Sequence, residues 1–411
     1  MKKRIIFVNL HSDWMLLLGS MVFIFKFSPA VKHGYLLKYL LENPDYEVAS
    51  VLNDRAFSIF EKGSDALQRL LKPLARLEHR WLMKKNGIDR RKVTMLSSFD
   101  DIRHDDIVIV YNLLSNEYRH LENVDAFKVV SMMHFHGNST DADKIKKAGI
   151  HQIFNEVDLQ KCCELYRRYY PINLPTITIP FVFAERFKPV KPFSDRKNKA
   201  FSVGTITYKT HKEFIDTYGD PCDQPIRDVV YRDQAYFADT ADCYNMPYNE
   251  DDEDRKIINP DDNPLVVIYK KIYNRFTTGR QKKYFSFDMV EKFNEYKMHV
   301  VGEEILGIPG IGYVEGMACG SAYIGLDSPM YRDLGLIPGV HYIAYDGTKE
   351  GLRSTIEYWQ SPENQAELEA IAKRGCDFVR TNFRGDKVAA SLMERIVEAR
   401  DKWLCEGSTN R

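Results

Sequence analysis

The stretch KMHVVGEEILGIPGIGYVEGMACGSAYIGLD, residues 297–327, holds one strand–loop–helix–strand step. Residues 298–301 form a short apolar run of the kind that makes a buried strand. Gly307, Gly310 and Gly312 crowd around Pro309, a composition that turns a chain rather than extending it. Residues 313–319 read as a short helix stopped by Gly320, since glycine readily takes the left-handed turn that ends a helix. Residues 322–326 are rich in apolar and aromatic side chains and read as the next strand. Two strands joined through a helix in this way lie parallel in one sheet. The loop meets the helix at its N-terminus, where unpaired N–H groups and the helix dipole favour an anion such as phosphate. Glu315 falls in the first turn and faces the same crevice, so its carboxylate can accept hydrogen bonds from two vicinal hydroxyls, as a ribose offers. The plainer alternative is a glutamate that only complements the dipole.

The pattern repeats on both sides of this stretch. Residues 4–9, 47–52, 106–111, 128–133, 150–154, 176–180, 199–203 and 341–345 read as strands. Residues 34–42, 349–359, 365–383 and 387–403 read as helices, while 265–276 and 287–296 read as helical or mixed. Residues 216–264 read as irregular, with the acidic run 250–254 as solvated loop. Strands alternating with helices indicate doubly wound parallel sheets, whose ligands sit beyond the carboxyl ends of the strands. Two places in the first half meet that rule. His11 and Asp13 follow the first strand, and His134-Phe135-His136-Gly137 follows the strand at 128–133. His134 and His136 point the same way in an extended segment, but two histidines without a third ligand do not make a zinc site.

At 411 residues the chain is long enough for two domains with cores of their own. With 58 Lys plus Arg against 58 Asp plus Glu, nothing pulls the whole molecule toward nucleic acid. The 7 cysteines follow neither metal-ligand nor disulfide spacing, which suits reduced thiols and a cytoplasmic setting. The apolar run at 14–25 is too short to span a bilayer, and Asn9, His11 and Asp13 interrupt any signal-peptide core before it. No internal repeat, phosphate-binding P-loop or G-x-G-x-x-G fingerprint occurs.

The string VEGMACG followed by an apolar strand resembles the nucleotide-sugar signature of GT-B glycosyltransferases, usually written E-A-M-A-C-G and then a strand. The resemblance implies two doubly wound Rossmann-like domains facing each other across a cleft. Residues 1–185 would be the acceptor-binding domain, 186–385 the nucleotide-sugar domain, and 386–411 a closing helix that returns to the first domain. It implies that Glu315 contacts the donor ribose, and that the loop and helix start at Gly310, Gly312 and Tyr313 face the diphosphate. By the same resemblance Gly204 ends the first strand of the second domain, and Lys209 and Lys212 are the basic candidates after it. His136 matches the histidine that faces the transferred sugar in retaining members, whereas His11 and Asp13 resemble the base position of some inverting ones. Retaining members often carry a further glutamate eight positions before Glu315. Here that position is Gly307, with Glu303 and Glu304 a little upstream. The implied activity is transfer of a sugar from a nucleotide-diphosphate sugar to a hydroxyl of a glycan or lipid-linked glycan, in cell-surface polysaccharide synthesis, with neither cofactor nor metal. A nucleotide-sugar epimerase on the same fold and a non-catalytic scaffold of a glycan-assembly complex are the alternatives.

One segment points to a further partner. From Arg69 to Lys92 there are nine basic and two acidic residues. On a helix Arg69, Lys72, Arg76, Arg80 and Lys84 share one face, and Leu70, Leu74, Leu77 and Trp81 gather beside it. Adjoining basic and apolar stripes suit the surface of an anionic membrane, and a solvated face over a core-facing side is the alternative.

Overall fold

The computed structural model describes residues 2–8, 34–51, 87–110, 118–133, 135, 140–247, 263–277 and 287–409, with single helical positions between 73 and 84. The strands are β1 (Lys3–Val8), β2 (Tyr46–Val51), β3 (Val93–Met95), β4 (Ile107–Val110), β5 (Phe127–Ser131), β6 (Gln152–Asn155) and β7 (Thr176–Thr178), then β8 (Lys197–Ile206), β9 (Ala241–Pro247), β10 (Tyr296–Val300), β11 (Ala322–Leu326) and β12 (Ile343–Tyr345). They build a seven-stranded sheet in the order β3-β2-β1-β4-β5-β6-β7 and a five-stranded sheet in the order β12-β11-β10-β8-β9. Every pairing between named strands is parallel. The two doubly wound sheets expected from the strand–helix alternation are therefore present.

Parallel sheets of this kind are covered on both faces, and the period-two alternation of each strand feeds two different cores. On one face of the seven-stranded sheet, Ile5, Phe7, Ile107, Ile109 and Val129 meet Leu36, Leu37 and Leu40 of the helix Gly34–Glu42. Val388, Ala389, Leu392, Met393 and Ile396 of the closing helix Gly385–Thr409 complete that cluster, spaced as one stripe of a helix. The opposite face, with Ile6, Val8, Val108, Val110 and Val130, belongs to a cluster that continues through Tyr166 and Tyr170 to Phe201, Tyr313 and Tyr323 of the second half. Met298, Val300, Ile324 and Ile343 pack on the far side against Leu352, Ile356, Leu368 and Ile371.

The halves also meet through polar contacts. Lys161 lies 3.0 Å from Asp333, the Leu165 N–H donates to the Tyr218 hydroxyl at 3.2 Å, and Arg168 donates to the Asp216 carbonyl at 2.8 Å. The chain passes between the halves at 181–187 and returns near 380–385, where Arg380 donates to the Phe187 carbonyl at 2.9 Å.

Within the stretch 216–264, residues 248–262, with the acidic run 250–254, lie outside the described residues, and the described residues 216–247 are more ordered than their composition implies. They hold the helix Pro225–Arg232, started by proline at its first position, and the edge strand β9. The strand β9 escapes a hydrophobic reading because it is mostly half-buried and its polar side chains are bonded: Asp242 accepts from Tyr296 at 2.6 Å, and Asn245 donates to Ser202 at 2.8 Å. The strand β3 is only three residues long at the other sheet's edge. In the segment from Arg69 to Lys92 most positions lie outside the described residues. Of those described, Leu77 is 64% exposed and Met83 is buried in the core. Among the described residues no helix is long and apolar enough to cross a membrane.

Candidate active site at the strand-order switch

In the five-stranded sheet β8 has β9 on one side and β10 on the other. The loops leaving β8 and β10 therefore flank the switch in strand order, the place where α/β sheets bind ligands.

Gly204 does not end the strand but lies within β8, two residues before its last, and an added Cβ there would stand 2.5 Å from the Arg227 Nε. Tyr208 then bridges to Cys222, and the Lys209 N–H donates to the Pro221 carbonyl at 2.8 Å. These bonds bring the Lys209 Nζ to 2.8 Å from Asp223, with both side chains largely withdrawn from water. The other Asp223 oxygen, Oδ1, is buried with no hydrogen-bond partner among the described residues, as is the His211 Nε2. Sequence reasoning gave Lys209 to the diphosphate. Here it is held in an ion pair, so an anion entering the crevice competes with Asp223 for it.

The loop after β10 runs through Gly302 and Gly307, both with φ in the left-handed region. A Cβ at Gly307 would lie 2.3 Å from the Cys162 carbonyl oxygen, so the contact between halves leaves no room for a side chain. A glutamate eight positions before Glu315 would clash there. The two upstream glutamates separate clearly. Glu303 is buried, and its Oε1 accepts from the Tyr323 hydroxyl at 3.0 Å, the Tyr331 hydroxyl at 2.8 Å and the Leu326 N–H at 2.9 Å. Glu304 belongs to the crevice, because the Ile305 N–H beside it donates to the Asp223 carbonyl at 2.7 Å. Burial, and then the neighbouring Asp223, hold the Glu304 carboxyl well above the usual carboxylate range, against the pull of Lys209 and Arg227.

The helix Gly312–Ala318 follows, with Glu315 in its first turn. The Tyr313 N–H donates to the Gly310 carbonyl at 3.1 Å, and its ring packs in the core against Tyr323 and Tyr331 at centroid distances of 5.7 and 5.3 Å. Tyr313 thus anchors the helix, and its side chain does not face the crevice. Gly310 and Gly312 let the loop lie flat: a Cβ on Gly310 would be 2.6 Å from the Arg227 Nη2, and one on Gly312 would be 3.0 Å from Val301. Glu315 is half-buried, and among the described residues its carboxylate makes no hydrogen bond. Burial pushes its pKa up to about 7, opposed by the Arg186 charge.

His136, His11 and Asp13 lie outside the described residues. Phe135 anchors the start of the segment that carries His136, packing edge-on against Tyr166 and Tyr170 at 5.6 and 4.9 Å. Among the described residues no group of three or more His, Cys, Asp or Glu side chains is placed to hold a metal ion. A separate hollow of about 720 Å³, lined by Tyr35, Lys38, Phe183, Glu185, Arg384 and Asp386, lies where the chain crosses between the halves and away from the crevice.

Sequence reasoning missed Arg227, Asp223 and Glu156. Pro225 marks the start of the helix that carries Arg227, and it is the one signal that could have been followed. Glu156 is buried just after β6, in the other half. Its charge reaches Tyr313 and Glu304, so the first half contributes to the electrostatics of the crevice.

No family model and no curated protein matches the chain. Solved structures do. A glycosyltransferase from Rickettsia africae matches at 11% identity, over 97% of this chain and 98% of that one, with a TM-score of 0.50. HepE of Anabaena, in complex with UDP and glucose, matches at 10% identity over 96% and 100%, with a TM-score of 0.48. Sucrose-phosphate synthase of Thermosynechococcus elongatus matches at 12% identity over 96% and 98%, with a TM-score of 0.47. At such identities the likeness concerns the fold, and the Rickettsia structure carries it. The chain has the GT-B glycosyltransferase fold, two Rossmann-like halves each built on a parallel sheet.

Proposed function

We propose that the protein is a glycosyltransferase that moves a sugar from a nucleotide-diphosphate sugar to a hydroxyl of a glycan or lipid-linked glycan, in the assembly of a cell-surface polysaccharide. The observation that carries this reading is Glu315. A half-buried carboxylate that receives no hydrogen bond from the described residues, and whose pKa burial pushes up to about 7, is costly unless a ligand answers it. It stands at the strand-order switch, in the helix whose VEGMACG sequence resembles the nucleotide-sugar signature. Two ribose hydroxyls are the donors that fit that place.

In the reaction the bond from the sugar's anomeric carbon to the diphosphate breaks, and a bond from that carbon to the acceptor oxygen forms. The acceptor hydroxyl gives up its proton, and the nucleotide diphosphate leaves with the bonding electrons. Lys209, on release from Asp223, supplies positive charge near the departing group, the main contribution a protein makes to such a step without a metal. His136 faces the transferred sugar in this reading, with His11 and Asp13 as the acceptor-side alternative. The work is done at the cytoplasmic face of a membrane, which the basic segment from Arg69 to Lys92 contacts.

The test is a screen of nucleotide diphosphates by thermal shift, followed by an assay of donor turnover with and without hydroxyl acceptors. A ligand at 100 times its dissociation constant should add about 2.7 kcal/mol to stability. His136→Ala should leave donor binding within a few-fold and cut turnover by about 100-fold. Failure of every nucleotide diphosphate to bind rejects the reading, and binding without acceptor-dependent turnover favours a scaffold or an epimerase.

A further inference from the structure

Arg227 is 7% exposed and lies on a helix that sequence reasoning passed over. Its guanidinium donates Nη1 to the Thr205 carbonyl at 2.7 Å, Nη2 to the Gly302 carbonyl at 2.9 Å, and Nε to the Val301 carbonyl. One acceptor belongs to the end of β8. The other two lie just beyond β10. Three glycines make room for the side chain: a Cβ at Gly204, Gly302 or Gly310 would come within 2.5, 2.9 and 2.6 Å of Arg227 atoms.

The arrangement answers a problem set by the sheet itself. Where a parallel strand ends, its last carbonyls lose the ladder partners that the strand interior enjoys, and they must find donors elsewhere. These ends point toward the crevice, so unanswered carbonyl oxygens would present negative dipole ends to whatever binds there. A guanidinium has five donors in a fixed fork and can take several carbonyls from one position.

We propose that Arg227 is the positioning residue of this crevice: by holding the carbonyls of Thr205, Val301 and Gly302 it fixes the spacing of the two loops and keeps three negative dipole ends from facing the diphosphate of a bound nucleotide. The inference rests on reading the crevice as a nucleotide-diphosphate site. It adds a specific consequence. Disturbing Arg227 weakens a ligand in proportion to its phosphate charge, while the nucleoside part, answered by Glu315, is left alone.

The experiment compares nucleoside with nucleoside diphosphate on the full chain. The wild-type protein is first titrated calorimetrically with uridine, guanosine, adenosine, cytidine and thymidine and with their diphosphates, which fixes the base that binds. Arg227→Lys is then titrated with the matching pair, and its melting point is measured without ligand. The expected result is a loss of at least about 10-fold for the diphosphate, about 1.4 kcal/mol, with nucleoside affinity within about 2-fold of wild type. If Arg227→Lys does not fold, Gly204→Ala displaces the guanidinium without removing its charge, and the same selective loss is expected. Equal losses for nucleoside and diphosphate, or a lowered melting point with both affinities unchanged, would make Arg227 a structural tie only and overturn the proposal. A wild-type protein that binds no nucleotide at all overturns both this inference and the reading beneath it, and it does so before any variant is made.

Discussion

Two carboxylates in one strand–helix–strand step of the second half meet opposite surroundings. Glu303 is given three donors by the fold itself, two tyrosine hydroxyls and the Leu326 N–H, in a buried nest of aromatic rings that includes Tyr313 and Tyr342. Glu315, at the start of the next helix, is half-buried yet receives no hydrogen bond from the described residues, and burial pushes its pKa up to about 7. The contrast separates two uses of a buried acid. Where the protein supplies every donor, the carboxylate holds the loop to the strand beyond it. Where burial comes without donors, the carboxylate destabilises the empty protein and makes sense through a partner that comes and goes.

The contrast can be attacked from either side. The Tyr323 and Tyr331 hydroxyls stand 2.6 Å apart and one can donate to the other, so Glu303→Ala leaves one hydroxyl and one N–H buried without an acceptor, at about 1–3 kcal/mol each. We expect a stability loss of about 4 kcal/mol by urea unfolding, with nucleotide affinity of the folded protein unchanged. A loss below about 1 kcal/mol would mean that Glu303 is not the structural acid of the pair.

Gly307→Glu restores the carboxylate that the glycosyltransferase signature places there. With left-handed backbone and the Cys162 carbonyl in the way, it should lower stability by about 2–3 kcal/mol and add no turnover. A more active variant would show that the joint between the halves is not what excludes the side chain.

Glu315→Gln keeps the shape but loses the charge and one acceptor oxygen. Calorimetry should find nucleotide-diphosphate affinity down by about 10- to 100-fold, and less so for a 2′-deoxyribose ligand. The melting point of the empty protein should not fall. Unchanged affinity with a lowered melting point would collapse the contrast, leaving two structural acids.

The smallest effect is on pH dependence. Because the folded-state pKa of Glu315 is raised above its ordinary 4.5 to about 7, the native state holds a proton that the unfolded state has released. Stability of the empty protein should therefore decline as pH rises from about 4.5 to about 7 and level off beyond. Glu315→Gln should flatten part of that slope, with Glu304 keeping the rest.

What the sequence made legible follows from where the hydrophobic signal lay. The strand Ala322–Leu326 and the helix Gly34–Glu42 stand where their patterns put them, because each buries a clean apolar face. The strand β9 went unread because its stability comes from cross-strand polar contacts such as Asp242 with Tyr296, which no local pattern displays. Glu315 was legible because its helix, glycine loop and flanking strands are contiguous. Arg227 was not, since its Val301 and Gly302 acceptors lie 74 and 75 residues further along the chain and its meaning exists only once two strands have paired. Glu303 and Glu304 are neighbours in sequence, and only the positions of Tyr323, Tyr331 and Asp223 tell them apart.

The two chain crossings between the halves have a mechanical consequence. They run side by side: Arg380 bonds the Phe187 carbonyl and lies over the Phe183 ring at 5.6 Å, while Gly385 sits against Tyr35 and Val182. A joint with two adjacent pins swings about the line through them and resists torsion, as a single linker could not. Any opening of the crevice is then a motion with one soft direction. It is limited on the far side by the latch of Lys161 on Asp333, the Leu165 amide on Tyr218, and the Cys162 carbonyl seated against Gly307.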